Sequence, residues 1–342
     1  MMIPLACLFV VVIVPAYLAS NNNFFYYGSA YIYGKGTDVG DDTAEIEKVF
    51  GKSDTYVALV PKEDLAVQKK LSDDLHEIPQ IKNILSYVDT VGAEIPEEYL
   101  DEETMSLLMS DRYSRFVITV DADSEGKSTF ELVENIRDTI RKYYPEDYYI
   151  AGNGVSTYDL MDTITADTVK VNAIAIGAIF LVLLFTTKSI LLPLLLVIGI
   201  ETAVWMNLSV PYFKDSIVFY ISYLIISSIQ LGATVDYAIL FTDRYMEFRK
   251  KMNKKQAVIE TVSSVTVSVI TSGSVLAVVG FLLGYISSHG VLSQLGMFLG
   301  IGSLFSMIIV LFVLPGLLYL CDRLIQHTTL KTNFYQDRKE IG

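Results

Sequence analysis

Cysteine, histidine and tryptophan are almost missing: two, three and one in 342 residues. Cys7 and Cys321 fall in or beside apolar runs, and the polar part of the chain has none, so neither a disulfide framework nor a cysteine metal site is expected. His76, His289 and His327 are scattered, without the spacing of a metal site or a catalytic triad. The phosphate-binding pattern Gly-x-x-x-x-Gly-Lys-Ser/Thr is missing, and no nucleophile, metal site or cofactor motif is visible. The expectation is therefore no cofactor and no enzyme. Basic residues are scarce too, 26 against 39 acidic, a net charge of −13 that argues against nucleic acid as a partner.

Apolar residues make up 52% of the chain. That is too many for a soluble enzyme of this length and too few for a chain that lies in a membrane throughout. The charge is split accordingly. Asn21 to Asp167 carries 30 acidic and 13 basic residues, a net of −17, and the remainder carries 9 and 13, a net of +4. The acidity thus belongs to one soluble segment, where a solvated surface explains it better than a cation site.

Met2 to Ala19 is an apolar run with no Lys or Arg before it, read as a retained helix rather than a signal peptide. In the soluble segment, residues 55–60, 81–88, 115–120 and 148–152 read as strands, and 62–78 and 129–144 as amphipathic helices, with an acidic helical insertion over Pro96 to Ser110. The order β-α-β-β-α-β is that of a ferredoxin-like α+β domain. Five more apolar runs follow, Val171–Thr187, Ile190–Val210, Ile217–Thr242, Ser263–Ser287 and Leu292–Leu320, each long enough to span a bilayer. The expected architecture is a membrane α-helical bundle of six transmembrane helices with an extracytoplasmic ferredoxin-like porter domain. Its parts are a first transmembrane helix over 1–20, the porter-like domain over 21–168, a five-helix bundle over 169–322 and a tail over 323–342. Orientation follows from Arg244, Arg249, Lys250, Lys251, Lys254 and Lys255, a basic loop expected in the cytoplasm. That places residues 21–168 outside and both termini inside, and Arg323, Lys331, Arg338 and Lys339 agree.

Within Ile217–Thr242 the one charge is Asp236. A charged group at this depth costs roughly 2.5 to 3.5 kcal/mol or more. Tyr237 follows at about 100° round the helix, so both are expected to face the bundle interior, with Gly232 one turn earlier admitting a neighbouring helix or water. Snorkelling of Asp236 to the surface is the alternative, and aspartate is short for that. Ser264, Ser268, Thr271, Ser272 and Gly273 form a small, polar face on the fifth span, suited to helix packing and equally to a path for protons. Glu201 is a second acid within the membrane, either a structural group or a part of the same path.

Gly232–Leu240, Thr271–Leu283 and Leu295–Leu320, together with Ala151-Gly152-Asn153-Gly154, make the chain resemble one half of a resistance-nodulation-division (RND) transporter, closest to its MMPL branch and to the C-terminal half. The resemblance implies a membrane exporter of hydrophobic or amphipathic molecules, lipid or drug-like, driven by the proton gradient. It implies Asp236 and Tyr237 as its proton relay. The implied partners are the other RND half, in the same longer chain or a separate subunit, with membrane lipids and a hydrophobic substrate. The implied location is a bacterial cytoplasmic membrane. Two other readings stand beside it: a SecF-like accessory subunit of protein export, and a lipid sensor or scaffold that transports nothing.

Overall fold

A computed structural model describes residues 2–28, 32–34, 36–62, 64–95, 99–330 and 334–335. The chain divides into two units, Tyr26–Ala166 and the remainder, Met1–Phe25 with Asp167–Gly342.

The first unit is α+β. After the two-residue strand β1 (Phe25–Tyr26), a four-stranded sheet comprises β2 (Asp54–Pro61), β3 (Ile81–Leu85), β4 (Tyr113–Val120) and β5 (Tyr149–Ala151) in the order β3-β4-β2-β5, antiparallel throughout. Alternation drives the layering. Ser114, Phe116, Ile118 and Val120 of β4 and Tyr56, Ala58 and Val60 of β2 are buried, while the residues between them are more exposed. Two helices cover that face. α3 (Leu65–His76), capped by the Asp64 side chain, contributes Leu71 and Leu75. α6 (Lys127–Tyr143) contributes Leu132, Val133, Ile136 and Ile140. Each such side chain adds about 1.5–3 kcal/mol when fully buried. Gly152 and Gly154 have a packing reason: a Cβ at either position would collide with the Tyr56 side chain. The Gly154 N–H donates to Asp54 Oδ2 at 2.8 Å. The short helices α4 (Tyr87–Thr90) and α5 (Glu102–Leu108) lie between β3 and β4, and residues 96–98 of the expected insertion lie outside the described residues. A helix that was not expected, α2 (Asp38–Phe50), starts at a Thr37 cap and has no buried residue.

The second unit holds helices long and apolar enough to cross a membrane, six of them among the described residues. They are α1 (Met2–Asn21), α7 (Asn153–Thr187), which belongs to this unit from Asp167 onward, α8 (Leu191–Phe213), α9 (Tyr220–Arg249), α10 (Lys254–Ile286) and a last span made of α11 (Gly290–Ile308), a π-helical turn (Ile309–Val313) and α12 (Leu314–Thr328). The π turn has a cause. Pro315 has no N–H to give to Leu311, and a widened turn just before it accommodates the loss. α10 and α11 meet backbone to backbone. Gly280 and Gly284 on one face Gly296 and Gly300 on the other, and a Cβ at Gly280 or Gly296 would strike the opposing main chain. Two Gly-x-x-x-Gly pairs thus form this contact, which dispersion between close backbones stabilises in place of a hydrophobic effect. α9 is entered from β6 (Val218–Phe219), where the Val218 N–H donates to the Phe24 carbonyl at 2.9 Å.

Candidate functional site

The site is built on α9, whose two faces differ. Ile226, Gln230, Thr234, Ala238, Phe241 and Tyr245 are buried, whereas Ile221, Ile225, Ser228, Gly232 and Asp236 are exposed. Asp236 stands about 24 Å along the helix from Tyr220 at 1.5 Å per residue. It makes no hydrogen bond or ion pair with any described residue. A Cβ at Gly232 would meet nothing within 4 Å, so among the described residues Gly232 packs against no other helix and the space beside it is open. Tyr237, 100° further round, is half-buried and lines a cavity of about 10 Å³ with Gln230, Thr234, Ser303 and Ser306. The expected sharing of one interior by acid and phenol is therefore corrected. Consecutive helical residues point apart, and here the phenol faces the inside of the bundle and the acid faces out of it.

The hydroxyls of α10 are on an outer face too. Ser264, Ser268, Thr271 and Ser272 are exposed, and Ser272 Oγ–H donates to the Ser268 carbonyl at 2.7 Å. No hydrogen bond joins them to Asp236 among the described residues. Gly273, on the other face, is packed by Met307, and its carbonyl accepts from Ser303 Oγ at 2.9 Å. Glu201 is half-buried on α8 and lines a separate cavity with residues of α7 and α9.

Two clusters were not anticipated. The first is a layer of amides and hydroxyls between α8, α9 and α11. Asn207, 0% exposed, donates from Nδ2 to Gln230 Oε1 at 2.8 Å and to the Phe298 carbonyl at 2.9 Å. Gln230 Nε2 donates to the Gly302 carbonyl at 3.4 Å, and the Thr234 and Ser306 hydroxyls pair at 2.8 Å. A side chain at Gly302 would collide with both amides. The signal in the sequence was amides in otherwise apolar runs. The second cluster joins α9 to α12. Arg249 holds Asp322 through two bonds, Nε to Oδ1 at 2.7 Å and Nη2 to Oδ2 at 3.0 Å, and Tyr245 Oη–H donates to Asp322 Oδ1 at 2.5 Å. Arg249 Nη1 donates to the carbonyls of Met252 and Tyr335, and the Phe334 ring lies 4.9 Å from the guanidinium. Arg249 thus sits in a buried ion pair instead of contributing a free loop cation. The rest of the expected basic tail, at Lys331, Arg338 and Lys339, lies outside the described residues.

The arrangement is one of intramembrane acids, amides and hydroxyls on apolar helices, and comparison with known proteins points the same way. Residues 35–337 match the model of the MMPL family. The chain belongs to the MMPL family. Members of that family are transporters, and this chain is an integral multi-pass membrane protein. It is also similar to a membrane protein of Methanocaldococcus jannaschii, with 25% identity over 314 residues, 84% of this chain and 78% of that protein. Less than a quarter of that relative lies outside the match, too little for a second unit of this size.

Proposed function

We propose that the chain is one half of an RND-type exporter that uses the proton gradient to move hydrophobic or amphipathic molecules, lipid or drug-like, with Asp236 as its proton relay. The observation that carries this reading is the placement of Asp236. It is at membrane depth, on an open helix face, beside a glycine that leaves space, and without a partner among the described residues. A carboxylate left against lipid is costly. A second half facing this side of α9 encloses it and leaves the acid and the open flank at Gly232 in a polar seam, where the acid gains and loses a proton. Tyr237 is on the inner side of the same turn, where it lines one small cavity with Thr234, Ser303 and Ser306. The other half is a separate subunit or a further part of a longer polypeptide, and the length of the relative supports pairing between separate chains.

In this reading residues 26–166 form an extracytoplasmic porter domain of ferredoxin-like topology, consistent with the strand order β3-β4-β2-β5. The basic loop with exposed Lys250, Lys251 and Lys255 lies in the cytoplasm. Protonation of Asp236 removes a charge from the seam and lets the helices repack, and that movement drives the outer domain. One proton crossing roughly 180 mV supplies about 4 kcal/mol, close to a thousandfold gradient of a neutral substrate. The test is export of a fluorescent lipid and drug panel from proteoliposomes with an imposed pH gradient. Wild type moves a panel member only with the gradient, and Asp236→Asn folds but moves none. Equal transport by both proteins would make Asp236 structural.

A further inference from the structure

A second acid lies within the membrane. Glu201 is 12 residues before the end of α8, about 18 Å deep from that end at 1.5 Å per residue. It has no hydrogen bond or ion pair with a described residue, and its surroundings are mixed. The cavity it lines, about 40 Å³, is bordered by Asn172 of α7, Trp205 of α8 and Tyr223, Ser227 and Ser228 of α9, with aliphatic side chains of the same three helices between them. Five residues with polar groups thus border a space with room for one or two waters. The wall contains no Lys or Arg to neutralise a carboxylate. The titratable neighbours are phenols: Tyr223 in the wall, Tyr220 with its ring 5.6 Å from that of Tyr223, and Tyr17 of α1, whose ring meets Trp205 at 5.1 Å. The residues of the last span packed on this stretch of α8, Ile309, Val310 and Leu317, are apolar.

The cavity is connected in register to Asp236. Ser228 belongs to its wall and also to the exposed face of α9, and Gly232 and Asp236 follow on that face at steps of four. The flank of Gly232 is open space. From Ser228 to Asp236 is about 12 Å of rise, a distance that a few waters span. Counted from the end where α8 stops and α9 starts, Ser228 is shallower than Asp236.

We infer that Glu201 is a second proton-binding site that loads Asp236, with Ser228 and the open flank of Gly232 as the water-bearing track between the two acids. The inference rests on the relay role proposed for Asp236. The protonated Glu201 carboxyl gives its O–H proton to a water of the track and becomes a carboxylate. The track delivers a proton to the Asp236 carboxylate, which becomes the acid. Asp236 then releases its proton toward the opposite end of α9 and Glu201 is reprotonated from the α8–α9 end, so one proton moves inward per cycle.

The test uses the full chain together with its second half in phosphatidylcholine vesicles, following the infrared carboxyl absorption after a rapid drop in pH. Beyond the carboxyls of the soluble segment, which wild type and all variants share, wild type shows two protonating carboxyls within the membrane. Glu201→Gln removes one and slows protonation of the other, assigned to Asp236 by its loss in Asp236→Asn, by about 100-fold, the low end for a positioned acid–base group. Glu201→Asp keeps most of the wild-type rate. Gly232→Leu, which fills open space rather than packed core, keeps the Glu201 signal and slows Asp236 as Glu201→Gln does. The inference is overturned if Asp236 protonates at the wild-type rate in Glu201→Gln, or if no protonating carboxyl disappears in that variant. Failure of the relay role itself reads differently: Asp236→Asn would then leave gradient-driven transport intact, whatever Glu201 does.

Discussion

The Arg249–Asp322 pair sets a sharp expectation, because both partners are buried, 6% and 5% exposed, and the geometry is bidentate. Asp322→Ala removes the acceptor of two guanidinium bonds and of the Tyr245 hydroxyl. The guanidinium keeps only the carbonyls of Met252 and Tyr335 and the face of Phe334. Breaking a buried pair in this way costs about 3–5 kcal/mol, most of it from the uncompensated charge left behind. Arg249→Ala is expected to cost a similar amount, since it strands a carboxylate on one phenol. The double variant Arg249→Met with Asp322→Leu leaves no buried charge and is expected within about 1 kcal/mol of wild type. Unfolding in mixed micelles with increasing dodecyl sulfate, followed by circular dichroism, measures all three. Single losses under about 1 kcal/mol, the range of a solvated pair, would refute the desolvation argument. So would a double variant as unstable as the sum of the singles. A second readout is proteolysis: Arg249 also binds the Tyr335 carbonyl, so both single variants expose the 334–335 segment to cleavage sooner than wild type.

Two further outcomes follow from the packing and the charges. Gly296→Leu drives a side chain into the Gly284 main chain and is expected to cost at least the roughly 1–3 kcal/mol of an overpacked core, whereas Gly177→Leu, which meets nothing within 4 Å, is expected to be nearly neutral in the same micelle unfolding. In the α+β unit, the hydrogen bond from Lys142 Nζ at 2.6 Å, and next that from Tyr143 Oη at 2.7 Å, hold the Asp74 carboxyl below its usual range. A depressed carboxyl pKa adds stability that is present above the unfolded value, about 3.9, and is lost as pH falls through the folded value. Asp74→Asn is therefore expected to flatten the acid limb of the stability profile and leave the limb above pH ~5 unchanged in slope.

The membrane spans were legible because apolar runs of that length have few other uses, and the strands and the two main helices because their apolar residues recur at periods of two and near four. What escaped has physical causes. α7 starts at Asn153, 18 residues before Val171, where the apolar run was placed. Hydropathy marks the part of a helix in lipid, and the polar turns from Asn153 to Lys170 carry no such mark. α2 has five acidic residues in its first ten and buries nothing, so it lacks an apolar stripe matched to a core. The Asn207–Gln230 layer was missed because uncharged amides barely lower the apolar character of a run. Arg249 was counted as a loop cation because its partner is 73 residues away in the chain, and a charge count has no term for pairing. At the site, the depth of Asp236 was readable from its position in the run. Its direction was not, because that depends on which neighbours occupy each side of α9.

The central claim, that Asp236 carries protons for a transporter, is tested most directly by proton uptake into vesicles. The protein and its second half are reconstituted together, the lumen holds a pH-sensitive dye, and a potential negative inside is imposed in the presence of substrate. Wild type is expected to acidify the lumen and Asp236→Asn is not, while both proteins elute as folded species of the same size. Equal acidification by the two would contradict it.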